Sequence, residues 1–548
     1  MKKIFNMLIC LSIASVLLVS CDDMLGVDSN RLTTEQDYGN STNNSLYSTF
    51  GILSQMQKLA DSYVLLGELR GDLLNTTELS DLNLREINNF NISSNNPYAK
   101  ISDYYAVINN CNFVLQHLDS SVVEEGQKLK LGQFAAVKSI RAWTYMQIAL
   151  NFKTAKYYEN AILTVEDSKK VYPEYDIVAL ADILIADLSA LKDVPFQDLG
   201  YIGSYNTTNS YFPIRFLLGD LYLLKGDYEN AAREYHDLMY KSRLLINKTS
   251  TSSWQVVNNT IGTTLNINWI NSFIPGSSEV LSTITCPTQY GIRFDLDSLN
   301  LQNKIVPSDI AIQNWDNQTY FLNEASNTPG DARKIGSIWW KSNVSGTVST
   351  PNNFNSTDEI SSLYKPFVLK YLLYDQNVVV YRTSLLYLRY AEAVNRLNKP
   401  NLAFAVLKYG LSSTNMNNAK IIPVQEKDSI SNPSSYMYFD SRFIDNVGIR
   451  MRGLGNVDKD TTFFNFQKQE TMHDSVLYVE NLIQQELALE TAFEGNRFHD
   501  LVRIALRRIK NGEGDASYLA DLVSAKHVGN EAAIKAILMD TENWYIKK

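Results

Sequence analysis

Two glutamates, Glu490 and Glu494, stand four residues apart in a run whose apolar spacing predicts a helix. Side chains at this interval share one helix face, and two carboxylates a few ångströms apart are what a glycoside hydrolase needs. The neighbouring charges indicate another role, because Arg497 follows Glu494 after three residues and Asp500 precedes Arg503 at the same interval. We therefore expect a charge ladder that holds a terminal helix, and no catalytic residue.

The other reactive residue types form no recognisable catalytic or metal-binding pattern. The five histidines are dispersed without metal-ligand spacing, and no GxSxG sequence occurs. Gly453 and Gly455 begin a dinucleotide fingerprint, but Asp458 stands where its third glycine should be. Asp295 and Asp297 lack the glycine and the later glutamate of an EF-hand loop. We therefore expect no cofactor, no metal and no enzymatic activity.

The first residues, MKKIFNMLICLSIASVLLVSCDD, predict export and lipidation. Lys2 and Lys3 precede an apolar stretch, 4–19, that is short for a membrane span. The stretch ends in Leu-Val-Ser-Cys, which resembles a bacterial lipobox: the small Ser20 gives a peptidase access, and the Cys21 thiolate takes up the lipid. We predict a signal peptide at 1–20 and a lipid-anchored chain from Cys21. A plain secretory signal with an incidental cysteine is the alternative.

The amino-acid composition limits the partners and the kind of core that the mature protein can have. The formal net charge of −9, which becomes more negative once Lys2 and Lys3 are removed, argues against nucleic acid as a partner. A hydrophobic content of 45% supports a large core, and the 32 tyrosines suit surfaces that stack on polar ligands and bond to them. Cys111 and Cys286 could pair, but two distant cysteines in a large chain are more often free and buried.

Helical periodicity dominates both ends of the chain, after a polar tether at 21–38. Apolar stripes predict helices at 43–65, 104–118, 136–152, 178–191 and 484–508. LGDLYLLKGDYENAAREY, 218–235, has the pattern of one tetratricopeptide unit with its turn at Gly226-Asp227, and 383–411 is a looser second unit. Helix pairs that recur without a strict period predict a mostly α-helical, degenerate α-solenoid.

Between about 246 and 382 the amino-acid composition changes. Asn, Ser, Thr and Gly are abundant there, which favours loops and short strands, while scattered tryptophans argue against disorder. A shorter polar patch, NNFNISSNNPY, lies at 88–98. Loop aromatics can pack on the C–H faces of sugar rings, so six of them are candidate ligand contacts. They are Phe90, Tyr98, Trp254, Trp269, Tyr290 and Trp315, and each could equally be a partly buried anchor.

The most specific pattern is QQELALETAFEGNRFHDLVRIALRR, residues 484–508. Its Glu-Gly-x-Arg-x-x-Asp-Leu-x-Arg run resembles the C-terminal signature of the SusD/RagB family, although Leu487 and Thr491 depart from the family's usual residues. Further similar pieces follow the family's order: YAVINNCN at 105–112, Arg141-Ala142-Trp143, PSDI at 307–310, LRYAEAVNRL at 388–397 and GIRMRG at 448–453. In the family the signature is structural, which implies that role for Glu490, Glu494, Gly495, Arg497, Asp500 and Arg503.

The resemblance implies a function as well as a fold. SusD-like proteins are surface lipoproteins of Bacteroidetes that cap a SusC-like TonB-dependent barrel in the outer membrane and capture nutrient. It therefore implies a SusD-like fold over 39–548 as one domain, with helical parts at 39–245 and 383–548 and a ligand-facing insertion at 246–382. The implied ligand is an oligosaccharide or, as in RagB-like members, a peptide. A surface glycan hydrolase and an adhesin or scaffold remain the alternatives of other classes.

Overall fold

The computed structural model describes most of the chain after its N-terminal segment. The described residues are 42–123, 128, 130–246, 256–257, 260–261, 273, 276–286, 294–323, 326–342, 348–349, 364–373, 377–427, 432–467 and 469–548. The predicted signal peptide, the tether and the lipid-attachment residue Cys21 lie outside the described residues. Within these ranges no helix is both long and apolar enough to cross a membrane.

The N-terminal part is helical, as the periodicity predicts. Its helices are α1 (Thr42–Met56), α2 (Ala60–Glu68), α3 (Leu82–Asn88), α4 (Ile101–His117), α5 (Leu131–Phe152), α6 (Val165–Ser168), α7 (Ile177–Leu188), α8 (Ile214–Lys225) and α9 (Tyr228–Ser242). Its strands are β1 (Leu74–Thr76), β2 (Thr154–Lys156), β3 (Glu174–Asp176), β4 (Tyr201–Ile202) and β5 (Tyr205–Asn206). The predicted helix at 43–65 is α1 and α2, joined by a 3-10 turn at Gln57–Leu59.

The first predicted repeat is the antiparallel pair α8 and α9. Gly226 ends α8 with a φ of 85°, a left-handed conformation that glycine adopts without strain, and the Asp227 side chain caps α9. The two helices lie so close that a Cβ atom on Gly219 would stand 2.3 Å from Cε1 of Tyr235. The small residue of the repeat pattern therefore permits the helix contact that defines the pair.

The middle of the chain has the short strands that its composition predicts, and it also has short helices, which the composition did not predict. The strands are β6 (Val256–Val257), β7 (Thr260–Ile261), β8 (Val280–Thr285), β9 (Ile305–Pro307), β10 (Thr319–Asn323), β11 (Ser326–Pro329), β12 (Ile338–Ser342), β13 (Val348–Ser349), β14 (Tyr364–Val368) and β15 (Asn377–Arg382). The helices are α10 (Leu296–Leu301), α11 (Asp309–Asp316), α12 (Arg333–Ser337) and α13 (Leu369–Leu373). The strands form small antiparallel sheets, of which β1–β9 and β8–β15 join distant parts of the chain.

Helices return in the C-terminal part. They are α14 (Thr383–Arg396), α15 (Pro400–Lys408), α16 (Ser413–Asn417), α17 (Met451–Leu454), α18 (Met472–Glu490), α19 (Arg497–Asn511), α20 (Ser517–Ser524) and α21 (Glu531–Leu538). The second predicted repeat is α14 with α15, and α14 also contacts α9 and α18. The expectation of one helix over 484–508 is wrong: it breaks at 491–496, where Phe493 and Gly495 adopt φ values of 69° and 88°.

Apolar packing joins the two helical parts. The main core contains residues from α1 through α18, and a second cluster of buried residues lies among α19, α20 and α21. Cys111 and Cys286 are both free and buried, as expected. The two helical parts therefore share one apolar core with the middle strands.

Candidate functional site

The signature glutamates lie in the interior. Glu490 and Glu494 are buried, and basic side chains from other elements bond to their carboxylates. Arg382 joins the two, with its Nη1 atom 2.9 Å from Oε1 of Glu490 and its Nε atom 2.7 Å from Oε2 of Glu494. Arg333 and Arg452 also contact Glu490, and Lys370 contacts Glu494. Neither carboxylate is open to a substrate.

The electrostatics of Glu490 follow from these contacts. Burial by itself would raise the pKa of Glu490, but Arg382, Arg452 and Arg333 hold the pKa below its usual range. The carboxylate therefore stays ionised and paired, whereas a general acid needs a pKa near the working pH. This geometry suits the structural role implied by the resemblance.

The charge ladder is only partly as expected. Asp500 and Arg503 do pair within α19, at 2.7 Å. Glu494 and Arg497 do not pair, because Glu494 lies in the turn at 491–496 and not on α19, and Arg497 bonds Asp72 at 2.5 Å instead. Interval rules apply along one continuous helix, and this helix is interrupted.

The interrupting turn is held by a carboxylate from α2. Glu68 accepts hydrogen bonds from the backbone N–H groups of Phe493 and Gly495, at 3.1 and 2.7 Å. A Cβ atom on Gly67 would lie 1.9 Å from the Gly495 carbonyl oxygen, so both glycines are needed where the backbones cross. Burial raises the pKa of Glu68 to about 7, against the lowering effect of those N–H groups. The signature therefore fastens the C-terminal helices to α2.

The aromatic residues that were predicted to contact ligand lie in different environments. Trp315 is wholly buried (0% exposed), and its indole N–H donates to the Leu489 carbonyl at 3.2 Å. The prediction that Trp315 contacts ligand is therefore wrong, because the ring has no accessible face. Phe90 and Tyr98 are half-buried, with Tyr98 packed on the main core. The last three, Trp254, Trp269 and Tyr290, lie outside the described residues.

An open groove of about 440 Å³ lies where three distant segments meet. Strands β1 and β9 pair antiparallel beneath it, with Asn75 opposite Val306. The start of α11 forms one side, the end of α3 another, and the turn between α20 and α21 a third. The lining residues are Asn75, Asn89, Val306, Pro307, Ser308, Asp309, Lys526, His527, Val528 and Asn530.

Part of this lining is bonded within the protein. Asn75 donates from its amide to the Lys526 carbonyl at 3.1 Å. Ser308 donates to the Asp72 carbonyl and accepts from the Ala311 N–H, which caps α11. The Lys526 ammonium group donates to two carbonyls of the 69–74 segment, at 2.6 and 2.8 Å, and so points away from the groove. These side chains build the wall and are not free to bind a ligand.

Three polar side chains of the lining are free. Asn89, Asp309 and Asn530 are exposed, and within the described residues their side chains have no hydrogen-bond partner. Val528, between the wall and Asn530, is 81% exposed and adds an apolar surface to the groove. Two amides, one carboxylate and an apolar surface around one concavity can bond hydroxyl groups while they pack on C–H groups.

A smaller concavity of about 70 Å³ lies on the other side of the Asn89–Phe90 turn. Phe90 lines it with Asn91, Tyr545 and Lys547, and the Phe90 ring stands 5.8 Å from that of Phe498. Phe90 adopts a φ of 58°, which is uncommon for an aromatic residue. The polar patch at 88–98 thus contributes to both concavities, with Asn89 in the groove and Phe90 in the smaller one.

The sequence predicted none of the groove-lining residues as ligand contacts. Asn89 lies in the predicted patch, and Pro307 to Asp309 belong to the quoted PSDI segment, but neither was predicted to bind. Val528 and Asn530 carried no pattern beyond the turn at Gly529. Within the described residues no group of three or more His, Cys, Asp or Glu side chains is arranged to hold a metal ion.

Solved structures share this arrangement of helix pairs and loop-rich insertion. A SusD superfamily protein from Bacteroides vulgatus aligns with a TM-score of 0.53 and 14% identity, over 93% of this chain and 91% of that chain. A SusD homolog from Bacteroides thetaiotaomicron gives 0.57 and 15%, over 90% of each chain. A SusD-like carbohydrate-binding protein from Bacteroides fragilis gives 0.54 and 14%, over 86% and 88%.

These similarities establish the fold. The chain has a SusD-like fold over most of its length, as the sequence resemblance predicted. No family model matches the sequence, and no curated protein is similar to it. At 14–15% identity the shared architecture does not carry the ligand of any relative to this chain.

Proposed function

We propose that this protein binds an oligosaccharide at the outer face of an outer membrane and passes it to a SusC-like TonB-dependent transporter. The observation that carries the proposal is the groove, where Asn89, Asp309 and Asn530 are exposed and unpaired beside Val528. A SusD-like relative is described as carbohydrate-binding. The mechanism is capture without bond cleavage, by several polar contacts and one apolar contact.

The groove suits a sugar for a physical reason. Sugar hydroxyls both donate and accept, and an asparagine amide does the same, so Asn89 and Asn530 can each serve a hydroxyl pair. A carboxylate such as Asp309 accepts charge-assisted bonds from hydroxyls. The Lys526 and Ser308 bonds hold the wall rigid, which reduces the entropy lost on binding.

Calorimetry of the mature protein against a panel of polysaccharides tests the binding. We expect the double variant Asn89→Ala/Asn530→Ala to bind the best ligand at least about tenfold more weakly than the wild type, which corresponds to ~1.4 kcal/mol of binding free energy. The matched control Asn417→Ala/Asp445→Ala alters exposed polar side chains far along the sequence and should bind normally. Equal affinity in the two variants would remove the groove from the proposal, and binding of peptides alone would replace the glycan.

Two further measurements test the location and the partner. Metabolic labelling with a fatty acid should modify the wild-type chain and leave the Cys21→Ala variant unlabelled. Affinity purification from detergent-solubilised outer membranes should recover a large β-barrel with the wild-type protein. Recovery of the wild-type protein without a barrel would contradict the transfer step, whereas the binding proposal would stand.

A further inference from the structure

The charges around the groove are distributed unevenly. Asp309 presents an exposed carboxylate in the first turn of α11, and Glu531 lies in the first turn of α21, next to Asn530. A helix N-terminus attracts anions, but here each of the two nearby helix starts already carries an acidic residue. The groove lining therefore carries one carboxylate, Asp309, and a second acidic residue, Glu531, follows the lining residue Asn530.

No cation in the lining offsets this charge. Among the described residues that line the groove, Lys526 and His527 are the only side chains that could be positive. The Lys526 ammonium group is buried and bonded to the carbonyls of Leu69 and Leu74. His527 is also buried, and burial followed by the neighbouring Lys526 lowers the pKa of His527 to about 3. His527 is thus neutral at ordinary pH.

From this distribution we infer that the groove accepts neutral glycans and rejects uronate-containing or sulfated ones. The inference rests on the proposed function and adds the substrate class. An acidic sugar would bring its charge beside Asp309 and lose water without gaining a cationic partner. A neutral sugar loses less hydration free energy. Its hydroxyls bond Asp309 and the two free amides, while its C–H face packs on Val528.

The first experiment compares probes of both classes at low ionic strength, where charge effects are largest. The neutral probes are starch, galactomannan, xyloglucan and inulin, and the acidic probes are polygalacturonate, alginate and chondroitin sulfate. Calorimetry or affinity electrophoresis of the mature wild-type chain should detect at least one neutral ligand and no acidic one. Tighter binding of an acidic probe would overturn the inference while the proposed function survives.

A charge reversal then ties the preference to the groove. Asp309→Lys should weaken the neutral ligand by about tenfold and create measurable binding of an acidic probe that added salt abolishes. Asp445→Lys, at an exposed and unpaired position elsewhere, is the matched control and should change neither property. Unfolding curves for both variants establish that they are folded.

The possible failures can be told apart. If Asp309→Lys is folded and binds both classes as the wild type does, the groove does not select the ligand and the inference is overturned. If the wild type binds no polysaccharide of either class, the proposed function fails and the inference falls with it.

Discussion

The interior around Glu490 and the groove around Asn89 treat polar side chains in opposite ways. In the interior, Arg382 bonds three buried carboxylates, those of Glu279, Glu490 and Glu494. In the groove, exposed amides and a carboxylate have no partner within the described residues. A buried charge must be paired, because an unpaired one is very unfavourable, whereas an exposed polar group is kept satisfied by water. Pairing therefore marks structure here, and its absence marks the candidate site.

The largest expected effect comes from the interior. Arg382→Met leaves three buried carboxylates short of a partner, and it should lower the free energy of unfolding by about 3–5 kcal/mol. Chemical denaturation of the soluble mature chain measures the change. Arg85→Met, which removes an exposed arginine bonded to the Glu78 carbonyl, is the control and should cost far less. Comparable losses in the two variants would break the comparison.

A pH effect comes next, from Glu68. Its pKa is raised to about 7 from an ordinary value of 4.5, so the folded protein holds this proton more tightly than the unfolded chain. The stability from that proton is complete below pH 4.5 and is lost as the pH rises through about 7, a change of about 3 kcal/mol. Urea unfolding from pH 4 to 8 should show that Glu68→Gln loses less stability than the wild type as the pH rises.

Two features sharpen the pH prediction. Burial also raises the pKa of Asp61 to about 7, which adds a slope of the same sign, whereas the lowered pKa values of His499 and His527 add a slope of the opposite sign. The contribution of Glu68 is therefore the difference between the wild-type and Glu68→Gln profiles. Glu531→Gln removes an exposed carboxylate and should keep the full wild-type slope. A Glu68→Gln profile as steep as that of the wild type would contradict the role given to Glu68.

A smaller stability effect is expected in the wall of the groove. Ser308 lines the groove, but its hydroxyl caps α11 and bonds Asp72, so Ser308→Ala should lose about 1 kcal/mol of stability. Thermal and urea unfolding measure the loss, with the exposed Ser94→Ala as control. If Ser308→Ala is as stable as Ser94→Ala, the division between wall and free side chains is wrong.

The smallest effect on stability belongs to the free side chains. Asn89→Ala should change the free energy of unfolding by less than ~0.5 kcal/mol, because no bond within the described chain is lost. Asn75→Ala, in β1 of the same groove, should lower the free energy of unfolding by about 1 kcal/mol or more, since the Asn75 amide bonds the Lys526 carbonyl. Paired urea titrations compare them. A larger loss for Asn89→Ala than for Asn75→Ala would reverse the assignment.

Local patterns in the sequence predicted much of the fold. The repeat 218–235 placed the α8–α9 turn at Gly226, and the composition of 246–382 predicted the short strands found in its described residues. These features depend on residues within one or two turns of each other, where helix and turn preferences act directly. The signature at 494–503 carried the resemblance that the SusD-like fold confirms.

Tertiary structure alone decided the rest. The fixed helical interval suggested a pair between Glu494 and Arg497, but Glu494 lies in the turn before the helix that Arg497 begins, and Arg497 bonds Asp72 instead. The groove brings Asn89, Asp309 and Asn530 together from segments more than 200 residues apart. The sequence spacing of such residues does not predict that they are close in the fold, because their proximity arises from how the helices pack. The sequence by itself determined the helix pairs and their turns, because helix and turn preferences act locally, and packing decided which polar groups are paired and which remain free to bind.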